Sequence, residues 1–334
     1  MAWSWEFALQ VFRSLGGTAN NIARKEGAWG RGIVAADPDK HVLLRAPANL
    51  IFPVSEVEFS GDRLRVKDSA KIAKAERTFF ENYYDAISWG GGGQAESTAF
   101  IAGIDALPPD VKDLLAANFS LEGLLESGVE RVPQWFLRSR LFGWRSTAVL
   151  APVLELVNHD PNAAPFAEEN GLTIGGKFAD EVLVLRSKAG PFGAFLRFGF
   201  ASRERAAFSL PVEFKTESGC EVTIEQNINM NSTLGSVPVP DFEQNGRAVR
   251  FSCVMIGNMG FPRLSRGIFY RIMKEAGETS PEQVFDNVLH RNRLAFLKLL
   301  EVLEPHEGGL VPELRKVVRY QLEAMSWCIG TRDL

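Results

Sequence analysis

Membrane-length apolar runs, paired cysteines, clustered histidines and an excess of basic charge are all missing from this chain of 334 residues. No stretch of about eighteen consecutive apolar residues occurs, and the start, Met1-Ala2-Trp3-Ser4-Trp5-Glu6, has neither the basic nor the apolar region of a signal peptide. A soluble, cytoplasmic protein with no membrane partner is therefore expected. The three cysteines, Cys220, Cys253 and Cys328, are odd in number and widely scattered, which suits a reducing compartment better than a disulfide framework. With no Cys-x-x-Cys pair and no His-x3-His cluster, no metal site is expected, structural zinc included. The formal net charge of −4 and a pI near 5.8 supply no basic field, so nucleic acid is not expected as a partner. Tyrosine is scarce as well: only Tyr83, Tyr84, Tyr270 and Tyr320 are present.

What the chain does hold is 46% hydrophobic residues, enough at this length to bury a full core and support a second domain. Residues 1–69 begin with a helix-like stretch to about Arg13. Short apolar runs bounded by glycine, proline and aspartate follow, notably 27–35 around Trp29 and 41–47, and read as strands and turns. Residues 70–142 turn helical, with Ile72, Phe79, Phe80, Tyr83, Tyr84 and Ile87 at helical spacing, then Leu114, Leu115, Phe119 and Leu124. Residues 143–214 return to short strands, with 182–185 the clearest. Residues 215–334 read as further extended segments followed by a helical C-terminal domain. There Ser280-Pro281-Glu282-Gln283 supplies an N-cap, a proline at the first helical position and a glutamine at the third, and Glu304-Pro305 stops the helix.

Several residues invite chemistry, and each has a plainer reading. Gly90-Gly91-Gly92-Gly93 has no Lys-Ser/Thr after it, so a flexible surface loop is expected rather than a phosphate-binding one. Gly30-Arg31-Gly32 is a turn, or a place where backbone comes close to a ligand because glycine has no β-carbon. Arg138 and Arg140 are solvated helix charges when taken alone, and His159 a satisfied core or loop histidine. Tyr83 and Tyr84 read as helix packing. Their order along the chain changes the weighing: Gly30-Arg31-Gly32, then Arg138-Ser139-Arg140, then Asn158-His159, then Phe198-Gly199-Phe200.

This ordered set resembles the SET-domain protein-lysine methyltransferases of the RubisCO large-subunit methyltransferase type. The resemblance spans nearly the whole chain, although only 27–35, 136–142, 152–162 and 181–200 are specific. It implies an α+β fold: a β-rich, β-clip-like SET core whose end passes beneath another segment in a knot-like arrangement, with a helical insertion and a helical C-terminal domain. It implies S-adenosylmethionine (SAM) as cofactor, held by Gly30, Arg31, Gly32, Arg140, Asn158 and His159. Arg140 would face the SAM carboxylate, where a guanidinium fork suits a planar anion. Asn158 would hold the SAM ammonium, and His159 would use mainly its backbone at the adenine. The family's catalytic tyrosine falls at Phe198, and a second family tyrosine at Arg186, so both hydroxyls are replaced.

The chemistry implied is methyl transfer to an amine. A lysine, whose unperturbed pKa is about 10.4, must first lose its proton, and a sulfonium beside it lowers that value by like-charge repulsion. An orienting group is typically worth roughly 10²–10⁴ in rate, while proximity and alignment act independently of it. Three readings follow. The first is methylation of a protein lysine or a smaller amine. The second is a non-catalytic protein-binding SET module. The third is a variant repurposed for small-molecule tailoring, with Phe192, Phe195, Phe198 and Phe200 lining an apolar pocket or packing a strand core.

Overall fold

The computed structural model describes residues 3–27, 30–119, 130–186, 189–226, 233–234 and 237–328. Trp29 and Leu124, named in the expected extended and helical segments, lie outside them. The chain is a mixed α+β protein made of small sheets, and it divides into two compact units: Met1–Ala102 with Gly128–Ser187, and Gly103–Ser127 with Lys188–Leu334. Among the described residues, no helix is long and apolar enough to cross a membrane.

In the first unit, helix Trp5–Ser14 starts where the Ser4 hydroxyl accepts the Phe7 amide, and it buries Ala8, Leu9 and Phe12 on one face. Strand Val42–Pro47 is the middle of a three-stranded antiparallel sheet, between Thr18–Asn20 and Gly171–Gly176. Helix Lys74–Ala86 contributes Phe79, Phe80, Tyr83 and Tyr84 to the core, all with no solvent exposure. The packing reading of these aromatics therefore holds. Helix Arg131–Arg140 adds Phe136, whose ring meets Trp89 at 4.9 Å and Tyr84 at 6.2 Å between centroids.

The four glycines are not the flexible surface loop expected. Trp89–Gly93 forms one wide helical turn, with Gly92 at φ +121°. A β-carbon on Gly90 would lie 1.9 Å from the Asp85 carbonyl oxygen, and one on Gly93 2.6 Å from the Phe136 ring. Glycine is required here by crowding at Gly90 and at the buried Gly93, and by the positive φ at Gly92.

In the second unit a four-stranded sheet runs in the order Val212–Lys215, Glu221–Ile224, Ala248–Phe251, Phe242–Asn245, with a parallel pair at its centre. Helices Pro262–Glu275, Pro281–Leu303 and Val311–Ser326 follow. Phe119, Phe192 and Phe296 form an aromatic triad with centroids 4.8–5.7 Å apart. The run of strands expected to reach Phe214 is interrupted by a helix, Pro191–Phe198. Proline at its first position and Gly199 in the left-handed conformation after its last residue are ordinary helix punctuation, and Phe192, Phe195 and Phe198 fall at helical spacing between them.

The expected cap at Ser280 is also corrected. Helix Pro281–Leu303 begins at the expected proline, but the Ser280 side chain makes no capping hydrogen bond. Its amide instead donates to Glu278 at 2.9 Å, and the same carboxylate accepts from Thr216 at 2.7 Å and from Ser218. Burial raises the pKa of Glu278, but these hydrogen bonds outweigh it and hold the carboxyl at about 2, against an ordinary 4.5. Because the folded-state value is depressed, its stabilisation is complete above about pH 4.5 and is lost as pH falls towards about 2. Glu278→Gln is thus expected to lower the denaturant midpoint at neutral pH and to flatten its acid limb, the two proteins converging near pH 2. Parallel curves from pH 7 to pH 2 would contradict this.

Candidate functional site

Strand Gly30–Ala35 forms a hairpin with Ile22–Gly27, and its other edge meets the segment before Leu183. The Val182 amide donates to the Ile33 carbonyl at 2.8 Å, and the Ala35 amide to Asp180 at 2.8 Å. Leu183–Val184 then pairs in parallel with Asn158–His159. Three segments far apart in sequence are thereby gathered in the first unit: Gly30-Arg31-Gly32, Asn158-His159 and 180–186.

Side chains lock this meeting. Asn158 Nδ2 donates to Glu181 Oε1 at 2.6 Å, which sets the orientation of the carboxamide and makes Oδ1 the acceptor that it offers. Burial, with Asp180 adding to it, raises the pKa of Glu181 against the lowering effect of the Asn158 hydrogen bond. A β-carbon on Gly32 would stand 2.6 Å from both Asn158 Nδ2 and Glu181 Oε1. The close approach at Gly32 is thus made by the protein's own side chains.

Beside this pair lies a chain of charges. Arg31 Nε donates to Glu96 Oε1 at 2.7 Å, and its guanidinium also donates to the Gly91 carbonyl. Arg140 Nη2 reaches Glu96 Oε2 at 3.3 Å. Arg140 Nε also sits 3.4 Å from Oε2 of Glu155, a contact of charges that lacks hydrogen-bond alignment. Glu155 is fully buried, and its Oε1 accepts the Tyr83 hydroxyl at 2.9 Å. Burial, with the Glu155 charge adding to it, pushes the Tyr83 hydroxyl far above its ordinary pKa, so Tyr83 remains a neutral donor. The chain delivers Glu155 through a tight turn at Val153, where φ is +72° and ψ −51°. For a β-branched residue this backbone is strained by on the order of 1–3 kcal/mol, and here complete burial of Val153 maintains it.

Arg186 completes the cluster. Its amide donates to His159 Nδ1 at 3.1 Å, and its guanidinium donates to the carbonyls of Glu155 at 3.2 Å and Val157 at 3.4 Å. The same group covers the Phe142 ring, 4.6 Å from its centroid. His159 is buried, its ring engaged in holding the 186 backbone. Phe198 belongs to the second unit, as the last residue of its helix. It is half-buried and stacked on Phe200 at 5.9 Å.

Of the residues singled out in the sequence, Arg31, Gly32, Arg140, Asn158 and His159 thus enter one connected region, while Phe198 stands in the other unit. Sequence reasoning missed Glu96, Glu155, Glu181 and the Tyr83 hydroxyl. Only Glu155 carried a signal, as a lone acid within the apolar run 152–157. In comparison with known proteins, no family profile and no curated protein matches the chain.

Proposed function

We propose that the chain is a SAM-binding protein of the SET type that transfers a methyl group to an amine of a protein lysine or a smaller substrate. The SET architecture, the RubisCO large-subunit methyltransferase resemblance and the cofactor are all parts of this proposal. The observation that carries it is the Gly32–Asn158–Glu181 junction. Of the motifs in the resemblance, the Gly-Arg-Gly and Asn-His elements meet there, around a carboxamide oriented by a carboxylate.

By donor chemistry alone, the residues match the two charges of the amino-acid end of SAM. Asn158 Oδ1 and the Glu181 carboxylate suit an ammonium, and the guanidinium groups of Arg31 and Arg140 suit a carboxylate. When bound, SAM supplies a methyl group carried on a sulfonium. Among this chain's residues, Glu181 orients Asn158, Glu155 and Gly91 anchor the two arginines, and Arg186 braces His159.

Labelled methyl transfer from SAM into a size-fractionated lysate tests the activity. Protein label supports lysine methylation, small-molecule label a tailoring role, and SAM binding without label a non-catalytic module.

A further inference from the structure

Within the charge cluster, one carboxylate differs from the other. Glu155 has no solvent exposure, whereas the Glu96 side chain is 42% exposed. Arg31 and Arg140, at 16% and 13%, are each held by a second partner. Arg31 donates to the Gly91 carbonyl, and Arg140 to the Glu155 carbonyl at 3.2 Å besides facing the Glu155 carboxylate. Both guanidinium groups therefore keep an anchor if Glu96 leaves.

Glu96 meets them as a small ligand would. One of its oxygens takes Arg31 and the other takes Arg140, so a single carboxylate bridges the two cations. Burial works against its ionisation, yet Arg31 first and then Arg140 and Arg24 hold its carboxyl below the ordinary value. Arg31 Nη2 is buried and has no hydrogen-bond partner among the described residues, so the pair of arginines has donor capacity beyond what Glu96 uses. Helix Gln94–Asp105 follows directly after the crowded glycine turn, and Glu96 lies in its first turn.

From this geometry we infer that Glu96 is an internal competitor for the cofactor's carboxylate, occupying the Arg31–Arg140 pair until a ligand carboxylate replaces it. The inference rests on the SAM-binding reading above and adds its regulation. Exchange of one carboxylate for another leaves the charge on the arginines balanced. Ligand affinity is then reduced by the fraction of protein in which Glu96 is docked.

The test is calorimetry of the protein and its Glu96→Gln variant with two nucleosides. S-adenosylhomocysteine carries the amino-acid tail, and 5′-methylthioadenosine lacks it. Exposed ion pairs are weak, so Glu96→Gln is expected to tighten S-adenosylhomocysteine by about 3–10-fold and to leave 5′-methylthioadenosine unchanged. Glu96→Ala, at this half-exposed position, should do the same and guards against a fault peculiar to glutamine. Unchanged or weaker S-adenosylhomocysteine binding in both variants would overturn the competitor role while leaving the cofactor reading intact. Equal tightening of the two nucleosides would overturn it as well. Binding of neither nucleoside by wild type or variant would overturn the cofactor reading and this inference together.

Discussion

Glu155→Ala is expected to lower the unfolding free energy by about 1–3 kcal/mol, because the buried Tyr83 hydroxyl loses its acceptor and Arg140 is left with the half-exposed Glu96 as its carboxylate partner. Glu155 is fully buried, and it answers both the Arg140 guanidinium at 3.4 Å and the Tyr83 hydroxyl at 2.9 Å. Glu155→Gln retains an acceptor for Tyr83 but loses the charge facing Arg140, so its loss should be smaller. Replacing Glu155 and Arg140 together by leucine and methionine should recover only part of the deficit, since the buried Tyr83 hydroxyl still lacks its acceptor. Denaturant midpoints at unchanged m-value provide the measurement. A loss below about 1 kcal/mol for Glu155→Ala would mean that the pair is not closed as described.

Gly32→Ala is expected to weaken SAM binding by about 10–100-fold, the range corresponding to loss of a hydrogen bond to a charged group. The added methyl would fall 2.6 Å from Asn158 Nδ2 and from Glu181 Oε1. Both are side-chain tips, so they can yield. The fold should survive at a cost of about 1–3 kcal/mol, while the carboxamide loses its set orientation. Titration of the variant with SAM, alongside its thermal unfolding, separates the two effects. Affinity equal to wild type in a variant of reduced stability would detach this junction from ligand binding.

The fold was legible where pattern and punctuation agree. Helix Trp5–Ser14, the aromatic stripe of Lys74–Ala86 and the proline start of Pro281–Leu303 follow from spacing and breakers. Glycine is ambiguous by nature, since a missing β-carbon serves freedom and crowding alike. The turn at Gly90–Gly93 uses it for both, crowding at Gly90 and Gly93 and a positive φ at Gly92. Helix Pro191–Phe198 was legible in Phe192, Phe195 and Phe198 at spacing three between Pro191 and Gly199, but matching Phe198-Gly199-Phe200 to a family element put a strand there. At the site, Asn158, Arg140 and Gly32 stood out as motif positions. The acids that hold them did not, because Glu96 and Glu181 lie 44 and 23 residues away from their partners Arg140 and Asn158, and no local pattern links such pairs.

On the proposed function, Asn158, set by Glu181 against Gly32, holds the SAM ammonium. Calorimetric titration of wild type and Asn158→Ala with SAM tests it most directly. Saturable one-site binding to wild type is expected, weakened at least about tenfold in Asn158→Ala, since a charged ligand group loses a hydrogen-bonding partner. Equal affinities in the two proteins, or no binding of SAM by wild type, would contradict it.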